Sequence, residues 1–339
     1  MSSMIYPYQR DWKINSVNFG KYTSLKNNWS LSKEQISKIR ALLSQGQVHQ
    51  YVDTVAVAGS LGRMEVSNAS DADIIVVLDK EVELNSQVAR EAYESVWQCL
   101  KPLNLERPKP TGVFADPTNI SDLTTNIGKA SEVYNVFGKR LLLLLESQPL
   151  YQDLNYSNLL DQIIDKYAFY IQNDSTKEWT LLLNDLIRYF RSLAVNYQWD
   201  FDFEGQKWAI RNIKLRHSRL VMYAGLLLLL GEASKERQDK MTWLKQKLNF
   251  TPLERIAWVY EQSQDWNFFR IAGLYNVFLS NISDPTIRSQ LNLDYQERYE
   301  NEVFARLKAN SDGLIAELLR FVLARRGDWT ERFFEYLIF

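Results

Sequence analysis

Cysteine and histidine are almost missing from this chain, which holds one cysteine, Cys99, and two histidines, His49 and His217, among 339 residues. A lone cysteine excludes an intramolecular disulfide and any cysteine-based zinc site, and two histidines argue equally against a histidine-rich metal centre. Net charge is missing too: 40 Lys and Arg against 41 Asp and Glu leave a formal charge of −1. No global field then draws the protein onto nucleic acid or acidic membranes, so any polyanion site must be a local cluster. Long apolar runs are also lacking. The longest, LVMYAGLLLLLG at residues 220–231, is too short to cross a bilayer, and the opening MSSMIYPYQRDWKIN has no signal-peptide core. A soluble, cytoplasmic protein without membrane association is expected.

What is present has the balance of an ordinary folded protein: 46% hydrophobic and 24% charged residues, with 10 Trp, 18 Tyr and 16 Phe. The length exceeds one compact core and suits two domains. Residues 1–30 lack a clear period and are expected to form an N-terminal arm. SLSKEQISKIRALLSQG (30–46) reads as a helix, with Ser32 and Gln35 at capping-box spacing and Gly46 at its end. VDTVAVAG (52–59) and DADIIVVLD (71–79) read as strands, and NSQVAREAYESVWQCL (85–100) as a helix. RPKPTGVFADP (107–117) reads as turn, short strand, turn. From about residue 130 every strong pattern is helical, with no strand alternation of comparable quality. The expected fold class is α+β: a mixed-sheet domain over 31–150, followed directly by an all-α domain over 151–339.

The chemistry concentrates in VAVAGSLGRMEVSNASDADIIVVLD, residues 55–79. Side chains alternate along a strand, so Asp71 and Asp73 share one face about 6.6 Å apart. Two bare carboxylates there repel each other unless a divalent cation lies between them. Mg²⁺ prefers a few carboxylates completed by water and phosphate oxygens, and such an arrangement suits in-line attack on phosphorus. Upstream, Gly59 lets a phosphate approach the backbone, Ser60 donates to it, and Arg63 adds positive charge.

GSLGRMEVSNASDADIIVVL resembles the signature of the DNA polymerase β-like nucleotidyltransferase superfamily: Gly-Ser, a spacer of about ten residues, then Asp-x-Asp within a strand. The Gly-Arg after the turn and the Ser-Asp-x-Asp form are similar to its PII-uridylyltransferase-like branch. The resemblance covers residues 50–80. It implies that Gly59 and Ser60 grip the triphosphate of an NTP such as ATP, and that Asp71 and Asp73 are catalytic and bind Mg²⁺ or Mn²⁺. It also implies a third acid from a later strand, for which Asp116 fits by order and Glu106 is a rival. The implied reaction moves an NMP from an NTP to a protein, small-molecule or nucleotide acceptor and releases pyrophosphate.

In the helical half, RNIKLRHSR (211–219) carries four basic side chains on little more than two turns. Arg211, Lys214 and Ser218 share one helical face, and Arg216 and Arg219 another. The expectation is that Arg211 and Lys214 face the nucleotide cleft and bind phosphate. The alternative is that Arg211 and His217 resemble the Arg-x4–6-His motif of HEPN domains. That motif implies metal-independent RNA cleavage in a toxin–antitoxin or phage-defence system, with RNA as substrate. A non-catalytic nucleotide sensor is the third reading.

Overall fold

The computed structural model describes residues 5–13, 18–67, 72–110, 112–129, 131–172, 174, 176–199, 207–235, 239–293 and 295–338. Its architecture is mixed: a small four-stranded sheet in the first half and a mostly helical second half. Helix α1 (Thr23–Gln45) leads into strand β1 (Val52–Ala58), the helical turn α2 (Gly59–Gly62), strand β2 (Asp73–Leu78) and helix α3 (Gln87–Leu100). Strand β3 (Thr118–Asn119) runs into α4 (Ile120–Thr124), and α5 (Tyr134–Glu146), β4 (Gln148–Tyr151) and α6 (Asp153–Tyr167) complete the layer.

The sheet order is β3-β2-β1-β4. Strands β1 and β2 are antiparallel with Ala58 opposite Asp73, and β3 runs parallel to the end of β2. Their valine- and isoleucine-rich runs are buried almost throughout, as a sheet covered on both sides requires. Helices α1 and α3 touch each other, α5 and α6 touch each other, and both pairs pack on the strands.

Three local expectations are corrected. Helix α1 starts at Thr23, so the arm ends earlier than residue 30, and Ser32 lies inside the helix rather than at its cap. Its buried hydroxyl donates to the Asn28 carbonyl (2.7 Å) and accepts from the Val66 amide (3.1 Å). GVFA (112–115) is bend and turn, and the third strand falls at Thr118–Asn119. A fourth strand, Gln148–Tyr151, follows residue 130, where only helices were expected. It is an edge strand, where Pro149 removes no needed donor.

The arm ties the halves together. The Tyr8 amide donates to Gln148 (3.0 Å), Arg40 lies over the Tyr8 ring (4.9 Å), and Arg10 pairs with Glu254 (2.6 Å) in the helical half. There α7 (Thr180–Trp199) precedes one helical rod made of α8 (Trp208–Lys214), a π-helical turn (Leu215–Arg219) and α9 (Leu220–Ser234). The apolar run noted above is α9, buried on all sides as a core helix should be. Among the described residues no helix is long and apolar enough to cross a membrane. Then come α10 (Lys240–Leu248), α11 (Pro252–Gln262), α12 (Phe268–Ser283), α13 (Pro285–Ser289), α14 (Glu302–Ala324) and α15 (Glu331–Ile338). A Thr251/Glu254 capping box with Pro252 starts α11.

Candidate active site

At the end of β1 the chain turns through Gly59, whose φ of +67° is a left-handed value that side chains disfavour. Ladder pairing sets Asp73 beside this turn. A Cβ on Gly59 would stand 2.0 Å from Asp73 Oδ2, so glycine is what lets the carboxylate lie against the turn. Gly62 closes it equally tightly: a Cβ there would meet the Glu146 carbonyl oxygen at 2.1 Å.

Beneath the turn is a buried ion network. Glu146, the last residue of α5, accepts from the Gly59 amide (2.9 Å) and Arg219 Nη1 (3.0 Å) on Oε1, and from Arg63 Nη1 (2.6 Å) on Oε2. Arg63 Nε donates to Glu65 (2.7 Å), whose other oxygen accepts from the Tyr275 hydroxyl (2.7 Å). Burial alone would raise the Glu146 pKa, but Arg63 and Arg219 outweigh it and hold the carboxyl below its usual range. Burial wins at Glu65, whose pKa is raised despite Arg63 and Tyr275. Two carboxylates and two guanidiniums thus compensate each other, which is the condition for keeping charge inside. Asn28 adds a hydrogen bond to the Glu65 carbonyl (3.3 Å), so α1 holds the loop as well.

Above the network opens a cleft of about 140 Å³. Ser60, Ser67 and Asp73 line it from the sheet side, and Lys214, Ser218 and Arg219 from the helical rod. Phe278, Leu279 and Ile282 of α12 form an apolar wall, with Arg288 beyond. The π-helical turn explains why Arg219 arrives with Lys214. A carbonyl closing on the amide five residues on brings positions five apart onto one face, whereas a regular 3.6-residue period separates them.

The structure therefore brings together Gly59, Ser60, Asp73 and Lys214, and sets Arg63 at the base with its guanidinium committed to Glu65 and Glu146. Asp71 lies outside the described residues. Arg211 is not among the described residues that line the cleft. Asp116 and Glu106 are exposed on loops ahead of β3 and do not line it either. Arg216 points away, donating to Ser311 (2.7 Å) and pairing with Asp312.

His217 is fully buried. Asn310 Nδ2, a donor, meets its Nε2 at 3.0 Å, so Nδ1 carries the proton and donates to the Ile213 carbonyl (2.8 Å). The ring stacks on Phe278 at 4.4 Å, and burial holds its pKa down at about 4. Both nitrogens are engaged and the ring is neutral at pH 7.

Sequence reasoning missed Glu65, Glu146, Tyr275 and Arg288. Only Glu146 left a trace, as the charge that closes the run LLLLLE. No known protein-family model matches the chain, and no curated protein matches it in sequence.

Proposed function

We propose that the chain is a metal-dependent nucleotidyltransferase, with its nucleotide in the cleft between the sheet and the helical rod. The observation that carries this reading is the seating of the Asp73 carboxylate against the Gly59 turn, with Ser60 beside it and Lys214 and Arg219 across the cleft. A carboxylate, hydroxyls and cations facing one another at that scale suit a polyphosphate with a bound cation.

The donors fit Mg²⁺ or Mn²⁺ better than a closed metal cage. Among the described residues no three His, Cys, Asp or Glu converge to hold a metal. A hard cation would be held by Asp73 and, as proposed from the sequence, Asp71, with phosphate oxygens completing its shell. Bound there, it would offset the charge that develops on the reacting phosphate. The protein's own groups have separable tasks. Ser60 donates to phosphate oxygens, and Lys214 and Arg219 neutralise them. The Glu146 network fixes the turn so that these donors are already in place. An acceptor hydroxyl or phosphate attacks the α-phosphorus and pyrophosphate leaves.

Of the alternatives, metal-independent RNA cleavage by Arg211 and His217 has the least support. An acid–base histidine must reach its substrate, and His217 is enclosed by Phe278, Asn310 and its own helix. The test is transfer from an α-labelled NTP in the presence of Mg²⁺, with cell extract as the source of acceptor. Label transfer by the wild type and its loss in Asp73→Asn supports the proposal. Saturable NTP binding without any transfer indicates a sensor instead.

A further inference from the structure

A second pocket lies away from the cleft, where the arm meets the connection between α11 and α12. It encloses about 210 Å³ and is walled by Tyr22, Trp266 and Phe269, over a floor that includes the buried rings of Tyr260 and Phe268. Trp266 is 74% exposed and Phe269 57%, although both are large and apolar. The three wall rings make no ring contact with one another among the described residues, so they surround space instead of filling it.

The turn that presents Trp266 is fixed. Gln264 holds a left-handed φ of +53°. Asp265 Oδ1 accepts from the Asn267 amide (3.0 Å) and side chain (2.9 Å), while its Oδ2 pairs with Arg320 (2.7 Å). The backbone that carries the exposed indole is therefore fixed before any ligand arrives, which lowers the ordering cost of binding. Glu261 supplies a half-buried carboxylate that forms no ion pair among the described residues, and the exposed Lys21 stands at the rim.

We infer that this pocket binds an organic ammonium cation, either a small quaternary amine or the side chain of a lysine on a partner. The faces of aromatic rings carry negative potential and attract cations, most strongly when several rings share one cation. Glu261 adds charge of the same sense, and the space suits a trimethylammonium group. Among the described residues of the lining Lys21 is the one opposing charge, and outside the lining Arg270 stands 5.9 Å from the centre of the Phe269 ring.

The experiment uses the full chain labelled with 5-fluorotryptophan, the Trp266 signal being the one lost in Trp266→Phe. Choline, a short peptide carrying trimethyllysine, and the neutral carbon isostere 3,3-dimethylbutanol are titrated separately. Expected is a saturable Trp266 shift with at least one cation, at least about tenfold tighter than with the isostere. Tighter binding of choline identifies a free amine as the ligand, and tighter binding of the peptide a partner's lysine. Glu261→Gln should weaken cation binding and Lys21→Met strengthen it. Trp266→Ala, at an exposed position that leaves folding intact, should weaken it at least about tenfold by calorimetry. Equal affinity for the neutral isostere, or no saturable shift with either cation at millimolar concentration, overturns the inference.

Discussion

Replacing Gly59 with alanine tests how closely the Asp73 carboxylate is packed against the turn. Two costs are separable. Holding alanine at φ +67° costs about 1–2 kcal/mol whatever surrounds it, partly offset by about 0.4–1 kcal/mol from a less flexible unfolded chain. The new Cβ must also displace Asp73 Oδ2 from 2.0 Å and Cγ from 2.9 Å. Forcing an atom into such a site costs about 1–3 kcal/mol. Of the three atoms nearest the new methyl, removing the carboxylate leaves the Asp73 Cβ, 3.3 Å away. Gly59→Ala should therefore destabilise the wild type by about 2–4 kcal/mol, and the Asp73→Ala protein by about 1 kcal/mol. The coupling, about 1–3 kcal/mol, is read from urea unfolding of the four proteins at constant m. An equal cost in both backgrounds would refute the packing of Asp73 against the turn and leave the left-handed φ as the reason for a glycine here.

Two further outcomes concern groups beneath and beside the cleft. His217 titrates at about 4 in the folded protein against an ordinary 6.5. The unfolded chain therefore takes up a proton first, and stability present above pH 6.5 is lost as pH falls toward 4. The difference corresponds to about 3 kcal/mol. Denaturant unfolding of wild type and His217→Gln at pH 4 and pH 7 should show a smaller pH difference in the variant, and an unchanged difference would refute the buried neutral histidine. Glu146→Gln leaves Arg63 and Arg219 facing a neutral group and should destabilise by about 3–5 kcal/mol. Asp73→Asn, at the edge of the cleft, should leave the urea midpoint level or higher, and equal losses from the two would contradict the network's role.

Parts of this protein that depend on near neighbours were legible in its sequence. Strands β1 and β2 are rich in valine and isoleucine, and helix α3 shows in the helical spacing of Val88, Ala92 and Val96, of which Ala92 and Val96 are buried. Gly59, Ser60 and Asp73 could be read together because one hairpin joins them. Strands β3 and β4, of two and four residues, are too short to carry a period and exist because a neighbour pairs with them. Ser32 and Gln35 imitate a cap, but burial of Leu25, Asn28 and Trp29 on the same face extends α1 backward. The network was hidden for a different reason. Glu146 is 87 residues from Gly59, and Tyr275 is 210 from Glu65, separations over which no local pattern speaks. The π-helical turn breaks the 3.6-residue period from which the faces of RNIKLRHSR were assigned, so Arg219, read as lying on another face, lines the cleft with Lys214.

The cleft's proposed chemistry makes one distinction that a single labelling experiment reads. An NTP labelled at the α-phosphorus and the same NTP labelled at the γ-phosphorus are each incubated with the protein, Mg²⁺ and cell extract. The α-label is expected to enter an acceptor and the γ-label to leave as pyrophosphate, and Asp73→Asn should abolish both while remaining folded. Transfer of the γ-label to an acceptor, or α-label transfer undiminished in Asp73→Asn, would contradict the proposed chemistry.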